Sequence, residues 1–359
     1  INGEFYSGAE RVQDLLAQRL PALGWETGFA CLKPGLFPAQ VRARVPLHQV
    51  PMGSRADLGC AIRLAALVRR EGYRVLHTHT PRAAMVGRIA ALLTRVPMVH
   101  HVHSPTARDT TEAWRNRLNA VTESMSLVGV KRLIAVSSSL RTQLLQDGVA
   151  ASRIRVVPNG VPGWQTLPAR EAPGARWTIG CIALFRPRKG MEILLSALAR
   201  LRAAGQAVSL LAVGPFESPD YEASIHALAA ELGVADAVEW TGFTNNVNAA
   251  LQRMDAMVLP SLFGEGMPMV VLEAMAAGVP VVASAVEGTP EVLDEGRCGL
   301  LVPPGDAEGL ANALAAFMQG RPNWHGLRQA AFERHRQHFS DVAMAAGVAG
   351  VYTEVAGHV

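Results

Sequence analysis

Residues 263–280 read FGEGMPMVVLEAMAAGVP. The apolar run DAMVLP (255–260) precedes them, and VPVVAS (279–284) overlaps their end and continues it. Short apolar runs bounded by Gly and Pro read as buried strands, and the longer apolar stretch between them has the length of a helix. A strand, a loop, a helix and a second strand make one crossover unit of a parallel sheet. Pro268 suits the first turn of the helix, where its missing N–H costs nothing. Gly278 and Pro280 stop it. The loop carries one carboxylate, Glu265, between glycines, and the helix carries a second, Glu273, eight residues later. Eight helical residues span about 12 Å. The two carboxylates can therefore touch opposite ends of one mid-sized ligand, and the free N–H groups at the helix start favour a phosphate between them.

Working outward, the same alternation fills both halves of the chain. In the second half WTIGCIALF (177–185), VSLLAVG (208–214), AVEWTGF (237–243), DAMVLP, VPVVAS and GLLVPPGD (299–306) read as strands or strand ends. Helices are expected over 190–204, 219–233, 306–319 and 324–338, with a short one before DAMVLP. In the first half strands are expected at 28–33, 48–52, 74–79, 97–103, 131–137 and 154–161. Helices there fall at 56–72, 81–94, 112–129 and 138–147, and another follows the N-terminal loop. Strands alternating with helices predict α/β doubly wound parallel sheets, with ligands at the carboxyl ends of the strands. Residues 162–176 are rich in Pro, Gly, Ala and Arg and read as a linker. The expected domains are 1–163, 164–338 and a last helical segment, 339–359, packing back on the first domain. The two sheets are expected to face a cleft. A doubly wound unit places a strand before its first loop; here it is absent or reduced to Ile1, so the first domain is expected to lack it.

The 359 residues are 49% hydrophobic and 18% charged, an ordinary globular composition. Cys31, Cys60, Cys181 and Cys298 are scattered with no CxxC pair, which argues against a disulfide framework or a zinc site and fits a reducing compartment. No apolar run reaches the roughly 20 residues of a membrane span. No signal-peptide pattern is read in these residues, and a cytoplasmic location is expected. Charge is uneven: residues 1–165 hold 21 Lys and Arg against 10 Asp and Glu, and residues 166–359 hold 13 against 20. A basic first half suits an anionic partner. Arg108, Arg115, Arg117, Lys131 and Arg132 are candidates for peripheral contact with an anionic membrane. Nucleic acid is not expected, because basic and aromatic residues are not interleaved.

Four further segments carry chemistry. FRPRKG (185–190) sets three cations between a strand end and a helix start, where Arg and Lys suit a diphosphate. VHHVHS (99–104) ends a strand in histidines, as His77 and His79 end the strand before it. No Cys, Asp or Glu is close enough in sequence to complete a ligand set, Asp109 being the nearest acid, so no metal is expected. His103 instead suits hydrogen bonding or acid–base work. Gly8 opens the first helix and lets a phosphate or sugar approach the backbone. Glu287, Gly288 and Thr289 follow a strand, where a base or sugar can lie. GxGxxG after a strand and GxxxxGK[ST] are both absent, which disfavours an ordinary dinucleotide fold and a P-loop nucleotidase.

GEGMPMVVLEAMAAGVPVVASAVEGTPEVL with GLLVPPGD resembles the E-x7-E region of family 4 glycosyltransferases, retaining enzymes of the GT-B type with two Rossmann-like domains. SGAERV, VHHVHS, AVSSSL, VVPNGV and FRPRKG occur in that family's order. The resemblance implies transfer of a sugar from a nucleotide diphosphate sugar, a UDP- or GDP-sugar, to a saccharide or lipid-linked acceptor. It implies that Glu273 holds the ribose, Glu265 the donor sugar, and Arg186 and Lys189 the diphosphate. Gly8, Gly266 and Met267 then line the sugar-phosphate, and His103 lies beside the transferred sugar. No Asp-x-Asp motif is present, so no metal and no cofactor are expected. The chain departs from the common pattern at Leu184, where Arg is usual, and at Met267–Pro268, where Phe-Gly is usual. A nucleotide-sugar epimerase of the same architecture and a non-catalytic sugar-nucleotide-binding subunit are the alternatives.

Overall fold

A computed structural model describes residues 1–4, 6, 8–54, 57–104 and 129–357. The chain forms two compact units, Ile1–Gly160 with Asp341–Val359, and Val161–Ser340.

In the first unit β1 (Phe29–Cys31) and β2 (Leu47–Gln49) form a parallel pair. β3 (Leu76–Thr78), β4 (Met98–Val102), β5 (Arg132–Ala135) and β6 (Ile154–Val156) form a parallel sheet in that order. Helices Gly8–Arg19, Leu58–Glu71, Pro81–Thr94 and Ser138–Gln146 alternate with the strands. The expected first strand is represented by Ile1 and Asn2, which bond alongside β1 and the two residues after it: Ile1 N donates to the Ala30 carbonyl (2.9 Å), and the N–H groups of Leu32 and Lys33 donate to the carbonyls of Ile1 (2.9 Å) and Asn2 (2.7 Å). Asp57, Thr80 and Ser137 cap their helices by accepting from the backbone N–H three residues on. The expected helix at 112–129 and Arg108, Arg115 and Arg117 fall at residues 105–128, outside the described residues, apart from the last residue of that helix. The last helix, Asp341–Ala356, belongs to this unit: Asp341 pairs with Arg19 (2.6 Å), and Glu354 accepts from both Arg132 (2.8 Å) and Arg155 (2.6 Å). Arg132 is thereby committed to an intramolecular pair.

In the second unit β7 (Arg176–Ile182), β8 (Ala207–Val213), β9 (Val238–Trp240), β10 (Ala256–Leu259), β11 (Val281–Ser284) and β12 (Leu300–Val302) form one parallel sheet. Its order is β9-β8-β7-β10-β11-β12, so the direction of winding reverses between β7 and β10. Ile179, Leu194, Leu198, Leu210, Val258 and Val282 are almost fully buried around it. Burying each such side chain contributes roughly 1.5–3 kcal/mol. Helix Met269–Ala276 is buried on nearly every face, which explains why it reads as continuously apolar, with Glu273 the one charge in it.

Residues 162–175 are irregular, as expected of a linker, with residue 176 already in β7, yet they strap onto the second unit. Arg170 donates to Asp255 (2.9 Å), and Leu167 packs at Gly278. From helix Trp324–His338, the buried Arg328 donates to the Gly278 carbonyl (2.6 Å) and the Pro168 carbonyl (2.7 Å). Its guanidinium also lies 4.6 Å from the Trp324 ring centroid. The four cysteines are buried free thiols. No helix among the described residues is long and apolar enough to cross a membrane.

Arg328→Met leaves the buried Gly278 carbonyl and the partly buried Pro168 carbonyl without their donor, and the loss at the buried one costs about 1–3 kcal/mol. The urea midpoint of the second unit should fall accordingly with little change in m; an unchanged midpoint would show that the strap adds no stability.

Candidate functional site

The reversal of winding sets the carboxyl ends of β7 and β10 side by side, and the loops that leave them diverge there. The β7 loop runs through a 3₁₀ turn, Pro187–Lys189, to Gly190 and helix Met191–Ala203. The β10 loop runs through Ser261–Pro268 into helix Met269–Ala276. Gly190 has φ 68°, and a Cβ there would stand 2.1 Å from the Pro260 carbonyl oxygen, so only glycine brings the two loops this close. Leu262 N–H then donates to the Arg188 carbonyl (2.8 Å), and the Arg188 guanidinium donates to the carbonyls of Phe263 (3.2 Å) and Gly264 (3.0 Å). Gly264 has φ 82°, and a Cβ on it would collide with that guanidinium.

These contacts deliver Lys189 onto Glu265, the centre of the site. Lys189 Nζ and Ser261 Oγ (2.6 Å) both donate to Glu265 Oε1. The carboxylate is 5% exposed as a residue. Burial alone would raise its pKa; the charge and hydrogen bond of Lys189, the Ser261 hydroxyl and the nearby Arg188 charge outweigh it and hold the carboxyl below its usual range. The Glu265 backbone is clasped from a third loop: its N–H donates to Glu287 Oε2 (3.0 Å), and its carbonyl accepts from Gly288 N–H (3.0 Å). Glu287 does this with φ 38°, a region that non-glycine residues rarely adopt.

The structure therefore brings together Lys189, Glu265, Gly266 and Met267, the last two buried at the start of helix Met269–Ala276. Pro268 is the cap residue of that helix, one position ahead of its first turn. Glu273 is 8% exposed, two turns from the loop as the spacing predicts. Arg186 turns toward Glu217 (3.4 Å) and keeps a buried Nε without a hydrogen-bond partner. Leu184 is 39% exposed beside it in sequence. Sequence reading assigned no role to Arg188, Ser261 or the Glu287 side chain as scaffolding of Glu265. The signals for Arg188 and Glu287 were at hand, three cations in one loop and a carboxylate in a turn, but only tertiary contact tells which group holds backbone.

His103 and Gly8 lie in the first unit. Gly8 is the exposed first residue of helix Gly8–Arg19. His103 Nε2 is 2.9 Å from His79 Nδ1. His100 points to the opposite sheet face, against Thr78 Oγ1 (2.8 Å).

Comparison with known proteins agrees with this architecture. Residues 6–162 match the family model described as Glycosyltransferase Family 4, and residues 176–320 match Glycosyl transferases group 1. The phosphatidyl-myo-inositol mannosyltransferase of Mycolicibacterium smegmatis is 31% identical over 291 residues, 79% of this chain and 72% of that protein. The amylovoran biosynthesis glycosyltransferase AmsK of Erwinia amylovora is 31% identical over 196 residues, 52% of this chain. The chain spans about half the length (47%) of AmsK and of other curated relatives it matches. The crystal structure of Anabaena HepE in complex with UDP-glucose superposes with a TM-score of 0.87 at 22% identity, covering 99% of this chain and 98% of that one. The fold is that of the GT-B glycosyltransferases. The chain belongs to glycosyltransferase family 4.

Lys189→Met should reverse the titration of Glu265. With Lys189 present, the lowered folded pKa gives stability that is in place above the unfolded carboxyl value of about 4.3 and is lost as pH falls through the folded value. Without Lys189 burial goes largely unopposed, the folded pKa rises, and stability should instead be lost as pH rises through it. Carboxyl-carbon NMR of Glu265 in both chains checks this; an unmoved titration would show that Lys189 does not control the carboxylate.

Proposed function

We propose that this chain is a retaining hexosyltransferase. It takes a sugar from a UDP- or GDP-sugar and passes it to a hydroxyl of a saccharide or lipid-linked acceptor in cell-surface polysaccharide or glycolipid synthesis. The observation that carries the reading is the Lys189–Glu265 pair, its carboxylate buried, held at the reversal point of a Rossmann-ordered sheet. A nucleoside diphosphate sugar has three parts to be gripped, and the second unit supplies a group for each. Glu273 takes the ribose hydroxyls. Lys189, Arg186 and the start of helix Met269–Ala276, with the backbone at Gly266 and Met267, take the diphosphate. Glu265, an acceptor-only carboxylate at neutral pH, takes the hydroxyls of the transferred sugar.

As the glycosidic bond to the diphosphate breaks, negative charge grows on the leaving oxygens. Lys189 already stands in place before any donor binds, so little reorganisation accompanies that charge. Side chains thus carry the leaving-group stabilisation, and no metal or cofactor is assigned to it. The crystal structure of HepE with UDP-glucose supports a donor of this class. His103 and Gly8 are the first unit's candidates for substrate contact. The excess of cations in residues 1–165 supports peripheral contact with anionic membrane on the cytoplasmic side, Lys131 being the described candidate not committed to an ion pair in the structure.

Thermal-shift screening against UDP- and GDP-sugars, followed by nucleoside diphosphate release with an acceptor panel, tests the reading. Lys189→Ala and Glu265→Gln should each lower turnover by about 10²-fold or more. Wild-type turnover in a folded Lys189→Ala chain would refute the diphosphate assignment. Product formation from donor alone would point to an epimerase.

Vesicles rich in anionic lipid should retain the chain at low salt and release it at high salt. Absence of retention at low salt would remove the membrane contact.

A further inference from the structure

Strand alternation in the first unit has an outcome invisible in either strand alone. β3 and β4 pair in parallel with Thr78 opposite His100. His77 and His79 therefore share a sheet face with His101 and His103, and His100 lies on the other. Four imidazoles gather on that face. The His77 and His101 rings are 5.5 Å apart and nearly parallel, His79 and His101 are 5.0 Å apart, and His101 and His103 are 4.5 Å apart.

Their hydrogen bonding is incomplete. His101 is fully buried, and neither of its ring nitrogens has a hydrogen-bond partner. His77 Nε2 is also buried without one. A buried polar atom left in that state is destabilising. The outer nitrogens, in contrast, are held: His77 Nδ1 lies 2.6 Å from Tyr352 Oη, and His79 Nδ1 lies 2.9 Å from His103 Nε2. In His77 a free buried nitrogen stands opposite one held by a second group, the arrangement of a metal-ligating histidine.

We propose that His77, His79 and His101 form a binding site for a zinc-class divalent transition-metal ion, with Tyr352 and His103 orienting the ligands and a fourth position left to water. One ligand atom from each of the three residues lies within 4.8 Å of the others. A tetrahedral ion at about 2.0–2.1 Å needs them roughly 3.4 Å apart, so binding draws them in by about 1.4 Å at most, a matter of small side-chain rotations. Imidazole nitrogen suits Zn²⁺, Cu²⁺ and Ni²⁺ rather than Mg²⁺ or Ca²⁺. The ion ties β3 and β4 to the last helix through Tyr352, and the leaving-group chemistry proposed above does not use it.

The test is a metal titration of the untagged chain after chelator treatment, with Co²⁺ as optical probe and Zn²⁺ as competitor. One Co²⁺ per chain should give the visible d–d absorption of a four-coordinate site, and Zn²⁺ should bleach it. His101→Gln and His77→Gln should lose the signal, whereas His48→Gln, which lies outside the cluster, should keep it. Tyr352→Phe keeps all three ligands and should weaken zinc binding about 10- to 100-fold; it remains informative if the histidine variants fail the far-UV circular dichroism check for folding. Absence of a saturable one-to-one signal, its persistence in folded His77→Gln and His101→Gln chains, or zinc affinity unchanged in folded Tyr352→Phe would overturn the site.

Discussion

A partly buried lysine and a buried glutamate meet where the sheet of the second unit reverses its winding, and the surrounding loops are shaped to permit it. Opposite charges about 4 Å apart attract by roughly 4 kcal/mol at an effective dielectric near 20. Withdrawing each ion from water costs several kcal/mol. The two are of one size, so the pair alone does little for stability, and the added hydrogen bonds decide its sign. Ser261 supplies one to the carboxylate, and Glu287 and Gly288 fix its backbone. What the arrangement secures is position: a cation and a carboxylate waiting where ligands of such sheets bind.

That position depends on several loops at once. Gly190 lets the β7 loop touch Pro260, Arg188 holds the Phe263–Gly264 carbonyls, and Glu287 adopts an unfavourable backbone angle to reach Glu265. Strain of this kind persists only where neighbours over-determine it. The neighbours here are a buried sheet of β-branched and aliphatic residues and a helix with apolar contact on nearly every side. Rigidity in the core is thus what makes the loop geometry reproducible.

The first unit applies the same parallel-strand rule with a different result. Equal spacing of histidines on two adjacent strands stacks imidazoles where apolar side chains would ordinarily lie. Strand by strand, each histidine reads as a single polar residue at a strand end, which is why a metal was not expected from the sequence. The register makes them neighbours.

The sequence by itself determined the alternation of strands and helices, the division into two α/β halves, the helix that carries Glu273 and the cationic loop before Met191. These follow from local rules: apolar periodicity, the backbone limits of Pro and Gly, and the position of charges relative to a strand end. Helix Pro81–Thr94 was legible to the residue, because Thr80 caps it and Pro81 opens it. Strand ends were read too long, since an apolar run does not show where its ladder partner stops. Only the tertiary structure decided that Lys189 and Glu265, 76 residues apart, share a hydrogen bond, that Arg188 serves backbone while Arg186 turns to Glu217, and that the apparent linker is strapped down by Arg328. Those outcomes depend on which strand lies beside which, and strand order is a property of the whole sheet.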